Sequence, residues 1–411
     1  AGEFLRQDAK NILKINSDNF VLNYDKWNIN PENAIEFGDK RLYINKFFLD
    51  NSGNELKIQS QGTQNNAPIQ VDFVNFKIET ILNIVKKDKL LMQGLINGNA
   101  VVENAMTSPI FTSDIKVEDF AFRAEPVGNI EIKVNNKTAN TLAANVVLSG
   151  QGNDVKINGN YRIADGNLDF NADINTLNIK SIQGFSMGNI SDGTGFLSGN
   201  FKITGNATAP KVDGQLNFND SSFRITKLNS FFKTENEKIT FSNDIITFDT
   251  FTFYDENDNE LALSGTIQSP DFRNYNFNLK VAANDFRAIH SKASDNDLFY
   301  GDLFFDTKLD IKGTLESPIV DGDLKINKET KFTVVLPQSD PSIADREGIV
   351  EFVNEDNIYL KQTAAMQQKL NQSDLIGMNV SVDISLDKEA ELTLVIDKGN
   401  GDYLNLKGEA Q

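Results

Sequence analysis

Few residues in this chain could do chemistry, and their spacing limits what that chemistry could be. Among 411 residues there is one histidine, His290, and no cysteine. The missing thiols exclude disulfides, thiolate zinc sites, iron–sulfur clusters and cysteine nucleophiles together. A serine triad, a multi-histidine metal site or histidine acid–base catalysis would rest on His290 alone. That residue lies in FRAIHSK (286–292), a short helical candidate whose counterparts elsewhere in the chain carry other residues, so its role reads as structural or exposed. Asp255, Glu256, Asp258 and Glu260 are dense enough to suggest a calcium loop. The equivalent turn DNSGNE at 50–55 keeps only Asp50 and Glu55 as acids, and a solvated hairpin turn is the simpler reading. DNDLFYGD (295–302) reads as a loop with its aromatics tucked in. A secreted β-solenoid enzyme of the polysaccharide-lyase kind would need paired carboxylates or an arginine-containing cleft, and none stands apart from turn acids. No enzymatic activity, metal or cofactor is expected.

Composition narrows the partners. Lys and Arg number 40 against 58 Asp and Glu, a formal net charge of −18. A surface that acidic repels nucleic acid and anionic membrane faces. Phe is the unusual count, 30 against 8 Tyr and 1 Trp. Those rings are interleaved with Asn, Asp, Lys, Ser and Thr, the pattern of half-buried strands.

The two-residue period places the apolar side chains on strand faces. It runs through Leu42/Ile44, Ile130/Ile132/Val134, Leu168/Phe170/Ala172/Ile174, Phe201/Ile203, Leu216/Phe218, Phe277/Leu279/Val281 and Leu309/Ile311. Val380/Val382/Ile384/Leu386 repeats it, and Leu392/Leu394/Ile396 resumes it after the DKEA turn. NG, DG, GN and DN signals between short runs predict hairpins and an antiparallel meander. The fold class is therefore all-β. Helical spacing is confined to ETILNIVKK (79–87), IKSIQGFS (179–186), FRAIHSK and the polar stretch QTAAMQQKL near Met366. No apolar run reaches the roughly 18 residues of a membrane-spanning helix.

The chain also repeats at about a hundred residues. TGNATAPKVDGQLNF carries Gly205, Pro210 and Gly214, and KGTLESPIVDGDLKI carries Gly313, Pro318 and Gly322 at the same spacings. A weaker copy has Asn104, Pro109 and Ser113 in those places. The prolines with their glycines read as turn chemistry at a strand crossover. Leu42/Ile44 then Phe47/Leu49, and Ile246/Phe248 then Phe251/Phe253, share a one-residue slip of phase, as a bulge requires. Such repeats predict an elongated stack of supersecondary units. Residues 1–55 form the end of a preceding repeat, 56–150 a first repeat, 151–260 a second, and 261–411 a third with the start of a C-terminal segment. Ala1 to Phe4 read as a cloning remnant or an arbitrary cut, and the abrupt end at Gln411 as part of a longer protein.

A sheet with one wet face and one apolar face must cover the apolar side. The candidate residues are Val71, Phe73, Phe170, Ile174, Phe201, Ile203, Leu216, Phe218, Phe277, Leu279, Leu309, Ile311, Val382, Ile384, Leu392 and Leu394. They fit either the core of an ordinary sandwich or the lining of a lipid groove.

The G-x4-P-x3-G-x-L-x-I/F repeat, the segment FTVVLPQSDPSIADREGIVEFV (332–353) and the closing LTLVIDKGNGDYLNLKGEAQ (392–411) resemble the AsmA-like superfamily and, within it, the TamB family of Gram-negative envelope proteins. The form is that of Bacteroidota-type bacteria, and the match is closest in the C-terminal third. The resemblance implies a long β-sheet curled like a taco around a hydrophobic groove, which selects the groove over the sandwich. It implies a periplasmic chain whose parent is anchored in the inner membrane. It also implies an Omp85-type outer-membrane partner of the TamA kind, reached through a C-terminal end beyond Gln411. Two roles are implied: phospholipid transport between inner and outer membranes, or a scaffold for assembly of nascent outer-membrane proteins. The 332–353 segment, with Pro337, Pro341, Asp345 and Arg346, is the least repeat-like and fits a partner or gating loop or a decorative insertion.

Overall fold

The computed structural model describes residues 2–7, 10–18, 20–22, 25–38, 41–84, 91–106, 109–138, 140–336, 379–397 and 400–407. They form strands almost throughout, with two short α-helices and one 3-10 turn among the described residues. The class is all-β, as the alternation predicts. The chain divides into two compact units. One comprises Ala1–Thr226, Phe231–Phe253 and Gln268–Arg273, the other Lys227–Ser230, Tyr254–Ile267 and Asn274–Gln411.

The first unit opens with a hairpin of β1 (Gly2–Gln7) and β2 (Lys10–Ile15). Three two-residue strands follow, β3 (Val21–Leu22), β4 (Asp25–Lys26) and β5 (Asn28–Ile29). Then β6 (Ala34–Gly38) and β7 (Arg41–Asn45) complete a small sheet of order β1-β2-β6-β7. At Lys46 the backbone takes a positive φ of 42°. The chain leaves that sheet there, and β8 (Phe47–Asn51) pairs instead with β5 and β9 (Asn54–Ser60). This is the phase slip read between Leu42/Ile44 and Phe47/Leu49. At the second copy the strand instead runs unbroken from Ile245 to Tyr254, with the Phe248 and Phe251 rings 6.2 Å apart.

From β9 the chain runs as a meander. It continues through β10 (Ile69–Lys77), α1 (Ile78–Ile84), β11 (Met92–Glu103), β12 (Ile110–Phe122), β13 (Glu125–Thr138) and β14 (Thr141–Gly150). It goes on through β15 (Asn153–Arg162), β16 (Asn167–Asn178), α2 (Ile179–Ile182), β17 (Ile190–Asn206) and β18 (Ala209–Ile225). Each strand from β9 to β18 lies antiparallel to the one before. Strands β19 (Ser230–Ser242) and β20 (Ile245–Tyr254) follow. Both helices fall on predicted segments. Buried Asn153 anchors α2: its side-chain amide donates to the Val127 carbonyl and the Ser181 hydroxyl, and its oxygen accepts from the Asn178 N–H.

Bulges bend several of these strands, and they have a common chemistry. Asn75 and Asp119 take positive φ, which turns each N–H out of the ladder. The side-chain oxygens of Asn97 and Asn129 on the neighbouring strands accept those N–H groups at 2.8 and 3.0 Å. Short polar side chains tolerate the left-handed conformation and replace the lost partner, so Asn and Asp suit the site twice over.

The second unit contains β21 (Glu260–Gln268), β22 (Asn276–Ser291), β23 (Phe299–Thr314), β24 (Pro318–Ile326), β25 (Lys331–Val335), β26 (Asn379–Leu386), β27 (Glu391–Asp397) and β28 (Asp402–Lys407). The predicted helix FRAIHSK is instead the end of β22. Register shifts at Ala283/Phe286 and Arg287/Ile289 insert bulge residues there. Buried Phe286 and Ile289 thus fall three apart within a strand, which imitates helical spacing. The same bulge device recurs. The Asp285 N–H donates to Asp306 Oδ1, and Asn327 donates to both carboxylates.

Two further expectations are corrected. Gly205–Pro210 and Gly313–Pro318 are paired residues flanking antiparallel hairpin turns, not strand crossovers. The DKEA turn does not close a hairpin either. Strand β26 lies parallel to β24, and β27 parallel to β25, so 387–390 is a corner stacked on the corner 327–330. The Asp387 N–H donates to the Ile326 carbonyl and the Glu391 N–H to the Thr330 carbonyl, tying the two corners together. No residue of 387–390 takes the positive φ that a tight two-residue hairpin demands. Of the 332–353 segment only 332–336 is described. Pro337, Pro341, Asp345, Arg346 and the QTAAMQQKL stretch lie outside the described residues.

Three outcomes are expected. Phe251, 1% exposed within a ring of phenylalanines, should cost about 3–5 kcal/mol when cut to Ala, read from chemical denaturation of the first unit. Gly214 has a φ of 151°, and a Cβ there would meet the Asn200 carbonyl oxygen at 2.2 Å. Gly214→Ala should therefore lower Tm measurably, whereas Gly53→Ala, with open space around it, should cost only its backbone strain. Burial pushes the Asp306 carboxyl up, but the Asn327 amide, the Asp285 N–H and Lys325 outweigh it and hold it below the ordinary range. Its contribution should be full above the unfolded pKa near 3.9 and be lost as pH falls through the lower folded value. Thermal melts of native and Asp306→Asn protein should differ most near neutrality and converge on acidification.

Candidate functional site

Cross-strand register shows what the alternating residues build. In the first unit one row runs Val71, Ala100, Ser113, Val134, Ala144, Gly159, Phe170, Ile203, Val212 from β10 to β18. The next runs Phe73, Gly98, Ile115, Ile132, Val146, Ile157, Ala172, Phe201, Gly214. A third joins Phe76, Ile96, Val117, Ile130, Leu148, Val155, Ile174, Gly199 and Leu216. A fourth holds Leu177, Leu197 and Phe218. Since directly opposed residues share a face, these rows form one apolar surface nine strands wide. The row between the first two is Asp72, Asn99, Asp114, Lys133, Asn145, Asn158, Asn171, Lys202, Asp213, and it faces the other way.

The eight candidate residues of this unit therefore lie on one face, but not in one setting. Val71 and Phe73 pack against a buried cluster of Trp27, Ile29, Leu49, Leu56 and Phe76, beside Ile81 of α1. They belong to an ordinary core. Phe218 stands edge-on against Phe251 at 5.0 Å, and Phe201 against Phe241 at 5.4 Å. Phe170, Ile174, Ile203 and Leu216 are half-buried. Two glycines shape the surface. A Cβ at Gly159 would fall 2.7 Å from Cδ1 of Phe170, and one at Gly214 2.9 Å from Cδ1 of Phe201. Each ring thus lies over a position that has no side chain.

In the second unit the rows are shorter. Phe277 faces Gly313 and Pro318; Leu279 faces Ile311, Val320 and Val380; Val281 faces Leu309, Gly322 and Val382. Leu324 is paired with Ile384, which is 55% exposed. Beyond the corner, Phe332 lies between Gly301 and Leu392, and Val334 between Phe299 and Leu394. All eight candidates of this unit sit on these apolar rows. Inside the corner is a cavity of about 390 Å³, lined by Leu303, Phe305, Leu324, Ile326, Phe332, Val334, Leu392, Thr393, Leu394 and Leu406. Sequence reading named only Leu392 and Leu394 among these. The run LFF at 303–305 hid the alternation, because Phe304 points to the other face, where the Arg287 guanidinium lies 5.9 Å over its ring.

The titratable groups serve the fold. Asp255 is 1% exposed, not solvated as its turn suggested. Its carboxylate accepts the N–H groups of Asn257, Asn259 and Arg287 and the Asn259 side-chain amide. Among the described residues no three acids or histidines stand in a metal-binding group. His290 is on a strand, not in a helical turn, and its Nδ1 is 2.6 Å from Asp302 Oδ1. Among the described residues no helix is long and apolar enough to cross a membrane.

No curated protein and no solved structure matches the chain. The family model described as the TamB C-terminal domain matches residues 249–411. That span takes in β22 to β28, and with them the stacked corners and the apolar cavity they enclose. Over that part of its length the chain is similar to the TamB family.

Proposed function

We propose that this TamB-like envelope protein is not an enzyme. In this reading it is a periplasmic lipid conduit, part of a parent anchored in the inner membrane, that shields phospholipid acyl chains between the inner and outer membranes. The observation that carries the reading is the apolar surface nine strands wide, half-buried over much of its area, with a polar row on its reverse. Acyl chains need no specific chemical group to be held, only apolar area out of water, worth about 0.8 kcal/mol per buried CH₂. A lipid leaving a bilayer gives up equally apolar surroundings, so net binding is weak and movement along a uniform surface is easy.

A second reading has its own support. Strand β28 is exposed along its whole length, with Tyr403, Leu404 and Leu406 all more than half exposed. Among the described residues it pairs only with β27. An edge of that kind accepts an added strand, as a scaffold for nascent outer-membrane proteins or an Omp85-type partner would require.

The test separates the two. The chain purified without detergent should yield phospholipid on solvent extraction. Ile203→Glu and Ile384→Arg, at half-buried and exposed positions of the apolar rows, should strip that lipid while Tm moves by a few degrees at most. Asn405→Pro should leave the lipid in place. Absence of lipid from well-folded native protein would sink the conduit reading. Loss of partner capture in Asn405→Pro alone would favour the scaffold.

A further inference from the structure

We infer that the polar cavity between α2 and β17 is a site for a phosphoryl group. The inference goes beyond the conduit reading and does not rest on it. The cavity holds about 370 Å³, and Asn178, Lys180, Ser181 and residues 193–195 are among its lining. Its donors are side chains, since α2 is only four residues long and brings no macrodipole of consequence. Ser181 carries the argument. It is 3% exposed, and its hydroxyl is forced into one role. Asn153 Oδ1 accepts the Asn178 N–H at 2.7 Å, so that amide cannot be flipped. The two hydrogens on Asn153 Nδ2 then go to the Val127 carbonyl at 2.7 Å and to the Ser181 oxygen at 2.9 Å. Ser181 is thus an acceptor there, and its own hydrogen finds no acceptor among the described residues. A buried donor left in that way is costly, and an acceptor oxygen entering the cavity removes the cost.

Two further donors line the same space. Thr194 Oγ1 and Ser222 Oγ lie 2.6 Å apart and share one hydrogen, so the pair has a second hydrogen to give. Lys180 makes no ion pair among the described residues. The acids of the flanking segments are engaged elsewhere: Asp192 accepts from Arg224 at 2.8 Å, and Glu125 from the Gln183 amide at 2.7 Å. One cation and two hydroxyl donors match a phosphate ester, which is negative and presents three acceptor oxygens. A planar carboxylate presents only two. If each non-hydrogen atom takes the ~30 Å³ share of a water molecule, the cavity holds roughly a dozen, a phosphate with a small organic remainder. Helix α1 supplies a contrast. It opens Ile78-Glu79-Thr80-Ile81 as α2 opens Ile179-Lys180-Ser181-Ile182, and Thr80 is buried like Ser181. The charge before the hydroxyl is reversed, so the turn forms with either sign and Lys180 is not needed to build it.

The group has two sources, a lipid headgroup or a soluble phosphate ester. The probes are glycerol phosphate and glycerol, titrated calorimetrically into the full chain at low salt, and phosphatidylcholine vesicles with and without phosphatidic acid, used in flotation. Glycerol phosphate should bind at one equivalent, and glycerol about tenfold more weakly or worse. Lys180→Gln should weaken glycerol phosphate by about tenfold, and Lys180→Glu should abolish its binding. Both changes fall at an exposed position and leave the fold intact. Ser181→Ala should weaken binding several-fold, and Lys156→Gln, exposed on neighbouring β15, should leave it unchanged. Vesicle capture that needs both phosphatidic acid and Lys180 supports the site with a lipid source. Binding of glycerol phosphate that needs Lys180, without such capture, supports it with a soluble one. Absence of glycerol phosphate binding, equal binding of glycerol, or unchanged affinity in folded Lys180→Glu protein would overturn the inference. If the native chain yields no phospholipid on extraction yet binds glycerol phosphate through Lys180, the conduit reading fails and the site stands.

Discussion

A strand that alternates apolar and polar residues must hide one face and wet the other, and every large feature of this chain follows from that demand. At the N-terminal end the face is covered by Trp27, Ile29 and α1, and an ordinary core results. Further along, phenylalanines from β17 to β20 pack upon one another and leave Phe251 almost inaccessible. Between these regions Phe170, Ile174, Ile203 and Leu216 remain half-buried. A chain this rich in Phe and this acidic can keep such a surface in water only because its reverse carries rows of Asn, Asp and Lys.

Curvature is built from two inexpensive devices. Asn or Asp in the left-handed conformation makes a bulge, and an Asn or Asp on the next strand receives the freed N–H. Glycines allow backbones to approach so closely that a Cβ would strike a carbonyl oxygen, at 2.2 Å for both Gly159 and Gly214. Both devices use residues that composition alone would class as loop formers. Here they lie within long strands, which is why strands of up to seventeen residues can bend without ending.

Strand existence and facing were legible in the sequence because a period of two survives wherever pairing is regular. Leu216, Phe201 and Ile174 could be placed on one face from alternation alone. Legibility failed where a bulge moved the phase. FRAIHSK looked helical since two bulges put Phe286 and Ile289 three apart. Asp255 looked solvated since nothing in DENDNE reveals that its carboxylate folds inward to bind the Arg287 N–H. The parallel stacking of corners was hidden for a different reason. Alternation gives the faces of β24 to β27 but not their partners, and the partners are chosen by tertiary hydrogen bonds at 327–330 and 387–390.

The central claim is that hydrocarbon chains lie against the apolar rows and not the polar ones. A phospholipid carrying a diazirine in its acyl chain, loaded onto the purified chain and cross-linked by light, reports this directly through peptide mapping. The account predicts adducts on Phe170, Ile174, Ile203 and Leu216 and on the cavity residues Leu394 and Leu406, with none on Asn158, Asn171 or Lys202. Adducts spread equally over both faces, or confined to β28 and absent from the rows of β15 to β18, would contradict it.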